Sequence, residues 1–335
     1  MTSPQSVHSV AVVVPVYLGE STLEGLVKEV VALTATSRTK LGHLFCVDEV
    51  ILVNDCGPDL SDDVIRRLAV QFEVVRPVWL SRNFGQHAAT IAGIAATSSD
   101  WVVTLDEDGQ HDPKSISDLL DHAISTRSSL VYARPTDGAS HSAIRNFTSA
   151  AAKRLASVLS GTEGPLLYSS FRLMLGEIGR SVAAYAGPSV YLDVALSWIT
   201  QDVGSIDVNF RDEQRPNSGY SARMLIGHFW KLAVTTGTRP LRVVSLVGAL
   251  TGVLGFALAV KIVIDRLVYG VAAQGWASVF VGILILGGAV LFSIGIIAEY
   301  LGLVVKSSLG QPTYLTVRDP KRTPRFGHGT GSSDK

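Results

Sequence analysis

The chain has 335 residues, enough for one large domain or two, and its 29 Lys and Arg balance 29 Asp and Glu. Zero net charge and a pI near 7.1 argue against nucleic acid as a partner. Two cysteines give no disulfide framework and suit a reducing compartment, whereas a mean hydropathy of +0.30 is high for a soluble protein and points to a membrane segment.

Met1 to Ser9 is polar and carries no secretory pattern. The β-branched run Val10 to Val14 reads as a strand buried on both faces, ended by Pro15-Val16-Tyr17. Ser21-Thr22-Leu23-Glu24 reads as a capping box that opens a helix to about Leu33. Val50 to Val53 is a second strand closing in the turn sequence Asn54-Asp55-Cys56-Gly57-Pro58-Asp59. A helix from Ser61 to about Ala69 carries Asp62 and Asp63 in its first turn, as the macrodipole favours. A third strand spans Val74 to Leu80 and a third helix Gln86 to Thr97.

The fourth strand leads into the most informative stretch, Trp101-Val102-Val103-Thr104-Leu105-Asp106-Glu107-Asp108-Gly109-Gln110. If the strand continued, its period of two would turn Asp106 and Asp108 to the same side. Paired carboxylates, with Gln110 as a third oxygen, suit Mg or Mn, hard cations that keep water and substrate phosphates in their shell. Asp112 as N-cap and Pro113 at the first helical position then open a helix.

Alternating strands and helices predict an α/β fold with a parallel, doubly wound sheet, whose ligands lie beyond the carboxyl ends of the strands. Pro15, Tyr17 and Glu20, then Asp55, then Arg82 and Asn83, then Asp106 and Asp108, all fall at such ends. No Gly-x-Gly-x-x-Gly follows the first strand, which disfavours a dinucleotide fold.

A further strand, Leu130 to Ala133, ends at Arg134, and a helix with a broad apolar face is expected from about Ala143 to Leu159, packed on the core or lying at a membrane interface. The segment 220–242 mixes Leu225, Ile226, Phe229 and Trp230 with Arg223, His228 and Lys231, and reads as a membrane-surface helix. Residues 243–264 and 277–300 follow, each longer than the roughly 18 apolar residues that make a spanning helix the default, and together predict a transmembrane hairpin within 243–305. Gly248 and Gly252 in the first span offer a close-packing face. Lys231, Arg239 and Arg242 precede the hairpin and Lys306, Arg318, Lys321, Arg322 and Arg325 follow it, while the loop between holds only Arg266. The positive-inside rule then places the domain 1–219 and the tail 306–335 on the cytoplasmic face of the inner membrane.

The ordered motifs Val14-Pro15-Val16-Tyr17, Val53-Asn54-Asp55-Cys56-Gly57-Pro58-Asp59, Leu80-Ser81-Arg82-Asn83-Phe84-Gly85-Gln86-His87 and Leu105-Asp106-Glu107-Asp108-Gly109-Gln110 resemble the polyisoprenyl-phosphate glycosyltransferases. These inverting family 2 enzymes include bactoprenol glucosyltransferases, dolichyl-phosphate mannose synthase and undecaprenyl-phosphate aminoarabinose transferases. The likeness continues through Ser170-Phe171-Arg172-Leu173, Arg215-Pro216-Asn217-Ser218-Gly219-Tyr220, Arg239-Pro240-Leu241-Arg242 and Glu299-Tyr300-Leu301-Gly302, covering roughly residues 8 to 318.

The resemblance implies a nucleotide-diphosphosugar transferase (GT-A type) Rossmann-like sheet, followed by juxtamembrane helices and the two-helix hairpin. It implies that Pro15, Tyr17, Glu20 and Asp55 bind the nucleoside. Asp106, Asp108 and Gln110 would hold Mg or Mn on the donor diphosphate. Arg134, Arg145 and Arg215 would lie near the donor and acceptor phosphates, and Ser218 in a loop that closes over the site. A departing diphosphate gains negative charge, and a metal with arginine forks stabilises it efficiently.

The chain departs from the family at three places. Leu18-Gly19-Glu20 stands where many relatives read Asn-Glu-Glu, Gly57 where Ser is usual, and Ser169-Ser170 where relatives often carry Asp. The last removes a catalytic carboxylate, but a lipid phosphate with a second pKa of ~6 is largely deprotonated at neutral pH and needs no base. Asp193 is another carboxylate in this region, for which a structural role is expected.

The expected activity is inverting transfer of a sugar, UDP-linked in many relatives though GDP-mannose also fits, to an undecaprenyl-type polyprenyl phosphate in cell envelope biosynthesis. Partners would be the nucleotide sugar, the lipid phosphate, the bilayer and further copies of the chain as a homo-oligomer. An alternative enzyme would extend a glycan or lipid-linked sugar, which demands a positioned base. A membrane scaffold or transporter subunit would dispense with the acidic pair.

Overall fold

The computed structural model describes residues 6–136, 169–187, 190–211, 239–269 and 275–322. The chain runs β1 (Val7–Val16), α1 (Leu23–Val31), β2 (Ser37–Arg38), β3 (Leu44–Asn54), α2 (Ser61–Gln71), β4 (Val75–Leu80), α3 (Gln86–Ala95) and β5 (Trp101–Thr104). It continues through α4 (Ile116–Thr126), β6 (Leu130–Pro135), β7 (Arg172–Leu175), α5 (Gly176–Tyr185), α6 (Leu192–Ile199) and β8 (Val203–Val208), and then α7 (Arg239–Tyr269), α8 (Trp276–Ser308) and β9 (Thr316–Val317). The helices expected at 143–159 and 220–238 lie outside the described residues.

Among the described residues the strands form one sheet in the order β8-β6-β7-β5-β1-β3-β4-β9, with β2 paired to β3 off that path. β1 lies parallel between β3 and β5, which explains its unbroken apolar run. Val10, Val12, Val14 and Val16 enter the core layer shared with α1, α2 and α4, whereas Ala11 and Val13 enter the layer shared with α3, α5 and α6. All six are buried, so alternation buries both faces of the strand. Each valine contributes roughly 1.5–3 kcal/mol by leaving water.

The expectation of a parallel sheet needs correction. β7 runs antiparallel between β5 and β6, with Met174 opposite both Val102 and Leu130, and β9 runs antiparallel along β4. A strand entering from the opposite end needs no crossover helix, so strict βαβ alternation fails at these two places, and the short β2 adds a third antiparallel pairing, against β3. The capping box at Ser21 to Glu24 also fails. Thr22 is the N-cap of α1 but makes no side-chain cap, because its hydroxyl donates to Glu107 O instead. Asp112 does cap the short 3-10 turn Pro113–Ser115, accepting from the Lys114 N–H at 3.0 Å.

The chain divides into two compact units, Met1–His141 with Leu167–Gly219 and Pro312–Lys335, and Ser142–Leu166 with Tyr220–Gln311. In the second unit α7 and α8 contain the expected spans 243–264 and 277–300. Among the described residues one stretch, Ile285–Ser308, is long and apolar enough to cross a membrane. In α7 the apolar run Val244–Ala257 is shorter, with Lys261, Asp265 and Arg266 beyond it. Leu246, Leu250, Val253 and Phe256 of α7, and Leu286, Leu291, Ile294 and Leu301 of α8, are all exposed.

Candidate active site

The carboxyl ends of β1, β3, β4, β5, β6 and β8 lie at one edge of the sheet, and β7 begins there. Pro15 is buried next to the last residue of β1, and Tyr17, just past the strand, projects into solvent with 40% of its surface exposed. The loop after it is interlaced with the loop after β3. Gly19 N–H donates to Ser61 Oγ (2.7 Å), Glu20 N–H to Asp59 Oδ2 (3.0 Å), and Leu60 N–H to Glu20 Oε2 (3.2 Å). Glu20 therefore helps tie the two loops together, with its other oxygen available to a ligand.

Asp55, 3% exposed, accepts the Phe84 N–H on Oδ1 (2.7 Å) and the Gly85 N–H on Oδ2 (2.9 Å). Burial pushes its carboxyl pKa up, while these N–H groups and Arg82 pull it back. The carboxylate thus pins the turn that opens α3. That turn carries Gln86, whose Nε2 donates to Asp106 Oδ1 at 2.6 Å.

β5 stops at Thr104, so strand alternation does not orient Asp106 and Asp108; both lie in a turn whose Gly109 has φ +77°. Asp106 Oδ2 accepts from Ser170 Oγ (2.5 Å), and Asp108 Oδ1 from the Gln110 N–H (3.0 Å). Asp106 Oδ2 lies 3.9 Å from His111 Nε2, and both carboxylates partly offset the effect of burial on the imidazole. His111 is buried, stacked on Phe171 at 5.0 Å and edge-on to Phe210 at 5.0 Å. Its Nδ1 accepts the Asp106 N–H at 3.0 Å, and burial lowers its pKa, so Nε2 carries the proton of a neutral ring. Sequence reasoning missed His111, for which the only signal was a histidine next to the acidic turn.

The Gln110 main-chain oxygen is taken by the Arg211 N–H (2.8 Å), leaving its side-chain oxygen as the donor for a ligand. Arg211 further grips Glu29 (2.7 Å) and Asp112 (2.9 Å), fixing the turn from outside. Among the described residues no three His, Cys, Asp or Glu side chains enclose a common point. Asp106, Asp108 and Gln110 are hard oxygen donors on one short turn, and each Asp106 oxygen accepts one hydrogen bond and keeps a lone pair. That donor set fits a hard divalent cation completed by water and phosphate.

A buried polar layer supports the turn. Thr104 Oγ1 donates to Ser170 O (2.5 Å) and accepts from Arg172 Nε (3.2 Å). Arg172 is paired with Asp193, which also accepts from the Tyr132 hydroxyl at 2.9 Å. Burial opposes the charge on Arg172, and Asp193, Tyr132 and Asp106 together outweigh it and raise its pKa. Asp193 is thus committed to a buried ion pair.

Arg134 stands at the end of β6 opposite Asp207 of β8, with Nε 3.0 Å from its carboxylate. Its side chain is 44% exposed and keeps further N–H groups for an anion. Arg145, Arg215 and Ser218 lie outside the described residues.

Residues 11–173 match the family model for glycosyl transferase family 2. The chain carries a glycosyl transferase family 2 domain. The transferase is 28% identical over 326 residues to the undecaprenyl-phosphate 4-deoxy-4-formamido-L-arabinose transferase of Pseudomonas aeruginosa LESB58, covering 96% of this chain and 93% of that one. It is 27% identical over 271 residues to the bactoprenol glucosyl transferase of Shigella phage SfX, covering 80% and 87%. The fold is shared with glucosyl-3-phosphoglycerate synthase from Mycobacterium tuberculosis, solved with Mn2+, UDP and glucosyl-3-phosphoglycerate. That likeness has a TM-score of 0.50 at 20% identity and covers 69% of this chain and 80% of that one. The GT-A-type mixed α/β architecture is therefore the frame in which the acidic turn works.

Proposed function

We propose that this chain is a membrane-anchored transferase that moves a sugar, with inversion, from a nucleotide sugar to an undecaprenyl-type polyprenyl phosphate at the cytoplasmic membrane face. A UDP-linked donor is our reading. The observation that carries it is the reach of the likeness: the Pseudomonas relative, named for undecaprenyl phosphate, matches 96% of the chain, apolar helices included.

Among the described residues, the engaged carboxylates at the sheet edge favour a phosphate acceptor over a sugar hydroxyl. Asp55 and Glu107 accept backbone N–H groups, Asp193 is paired with Arg172, and Ser170 donates to Asp106. A hydroxyl acceptor would need a carboxylate base, whereas an ionised phosphate oxygen attacks the anomeric carbon without losing a proton. The bond from that carbon to the diphosphate oxygen breaks, and its electron pair leaves with the nucleoside diphosphate.

Pro15, Tyr17, Glu20 and Asp55 line the nucleoside side of this site, and Asp106, Asp108 and Gln110 would hold Mg or Mn. The ion would supply charge stabilisation to the departing diphosphate. Arg134, Arg145 and Arg215 offer guanidinium forks to donor and acceptor phosphates, with Ser218 in the closing loop. Segment 220–242 lies on the membrane surface in this reading, and 243–264 and 277–300 cross the membrane as a hairpin.

Nucleotide release from UDP, GDP and dTDP sugars, with Mg or Mn and with or without undecaprenyl phosphate, tests the proposal. Release should require both lipid phosphate and metal, and Asp108→Asn should lower kcat/KM by about 100-fold. Full metal-dependent activity in that variant would sink the mechanism. Release with simple glycans and not with the lipid phosphate would favour an extending enzyme.

A further inference from the structure

Glu107, between the two aspartates, does not share their direction. Its Oε2 accepts the Tyr17 N–H at 2.8 Å and its Oε1 the Leu18 N–H at 2.9 Å, across some 90 residues of sequence. Thr22, at the start of α1, donates its hydroxyl to the Glu107 carbonyl oxygen at 2.5 Å. A Cβ on Gly19 would lie 2.9 Å from Glu107 Oε2, so the first loop closes directly over this carboxylate. Hydrogen bonds to an ionised acceptor are about twice as strong as neutral ones, and here two converge on one side chain. On the far side, Tyr17 O lies against Gly57, where an added Cβ would sit 1.6 Å away. Residues 17 and 18 are held between the acidic turn and the β3 loop.

We infer that Glu107 is a positioning residue that transmits binding between the two halves of the donor site, so that nucleoside and divalent ion each tighten the other. The inference rests on the proposed function for what binds at each half. An ion at Asp106 and Asp108 would restrict the turn, the turn carries Glu107, and Glu107 fixes the backbone that presents Tyr17. Linkage makes the effect reciprocal: the factor by which the ion tightens the nucleoside equals the factor in return.

A nucleoside diphosphate touches the ion through its own phosphates, so it cannot isolate coupling carried by the protein. A nucleoside can. With full-length protein in detergent, calorimetry would first find which of UDP, GDP and dTDP binds with Mn2+. The affinity of the matching nucleoside, uridine in our reading, is then measured with and without Mn2+. Wild type should show tightening of about fivefold or more, at the low end of common coupling factors. Glu107→Ala should reduce that factor below about twofold, while the Kd for Mn2+ alone moves by less than about threefold, because the aspartates remain. Glu107→Gln keeps the shape and one acceptor oxygen; it should give an intermediate factor and answers for any folding loss in the alanine variant. Equal tightening in wild type and both variants overturns the inference, as does no tightening in a wild type that binds diphosphate and Mn2+. Both results leave the proposed function standing. A wild-type protein that binds none of the three diphosphates with Mn2+ overturns both.

Discussion

Gly57 shows how tightly single residues constrain this site. A Cβ there would lie 1.6 Å from Tyr17 O and 2.6 Å from Tyr17 C, both backbone atoms that no side-chain rotation can move aside. Gly57→Ala should therefore part the first and second loops, costing about 1–3 kcal/mol of stability as overpacking does, and should weaken nucleotide binding about tenfold or more as Tyr17 shifts. Gly25 in α1 is the control: a Cβ there meets nothing within 4 Å, so Gly25→Ala should stabilise by roughly 0.5–1 kcal/mol. Thermal unfolding and nucleotide titration of the two variants check this, and equal behaviour would show that the loops yield freely. Gly57 was legible only as a departure from the usual Ser, without its cause. Asp106 and Asp108 could be found because they follow an apolar strand. The partners of Asp106 were not legible, since Gln86 and Ser170 lie 20 and 64 residues away. Asp55 was legible as a polar residue at a strand end, but not its hold on the turn at Phe84 and Gly85, some 30 residues away.

Elements whose pattern repeats over a full strand or helix were legible, and the two antiparallel strands of the main sheet path were not. β7 has four residues and begins with a buried arginine, so neither length nor alternation marks it. β9 has two residues, and its place is set by tertiary contacts. It pairs with Trp79 and Leu80, and Ser81 N–H donates to Leu315 O at 2.9 Å. Asp319 then locks the tail: Arg66, lying 4.7 Å from the Trp79 ring, binds its carboxylate at 2.8 Å, with both side chains less than a fifth exposed. The added strand covers the exposed edge of β4, an edge that otherwise invites pairing with other chains. Asp319→Ala should cost roughly 1.5–3 kcal/mol of local tail docking. The expected sign is about tenfold or greater loss of hydrogen-exchange protection around residues 315–317 and Trp79, with protection of β1 unchanged. Protection that stays the same would mean that strand pairing alone holds the tail.

At the scale of the molecule, the same tail limits how the chain can cross a membrane. The sheet takes its strands from residues before 209 and again from Thr316–Val317, so the intervening chain must return to the side from which it left. Crossings between those points must be even in number. Ile285–Ser308 qualifies as a span by length and apolarity, and a crossing there would require another; among the described residues α7 has the length for it, since 31 residues at 1.5 Å rise reach roughly 46 Å, more than a hydrocarbon core of about 30 Å. Its apolar run is short because Lys261, Asp265 and Arg266 occupy the last third, where long cationic side chains can reach a headgroup layer. Tags at the two termini should then be cleaved together in inverted membrane vesicles and protected together in intact cells. With Cys46 and Cys56 replaced by Ser, Gln274→Cys should react with an impermeant maleimide only from the opposite side. Termini on opposite sides would mean an odd number of crossings and would contradict the pairing of β9 with β4. Termini on one side with Gln274→Cys labelled from that same side would leave the sheet intact and turn both helices into segments that enter or lie on the membrane without crossing it.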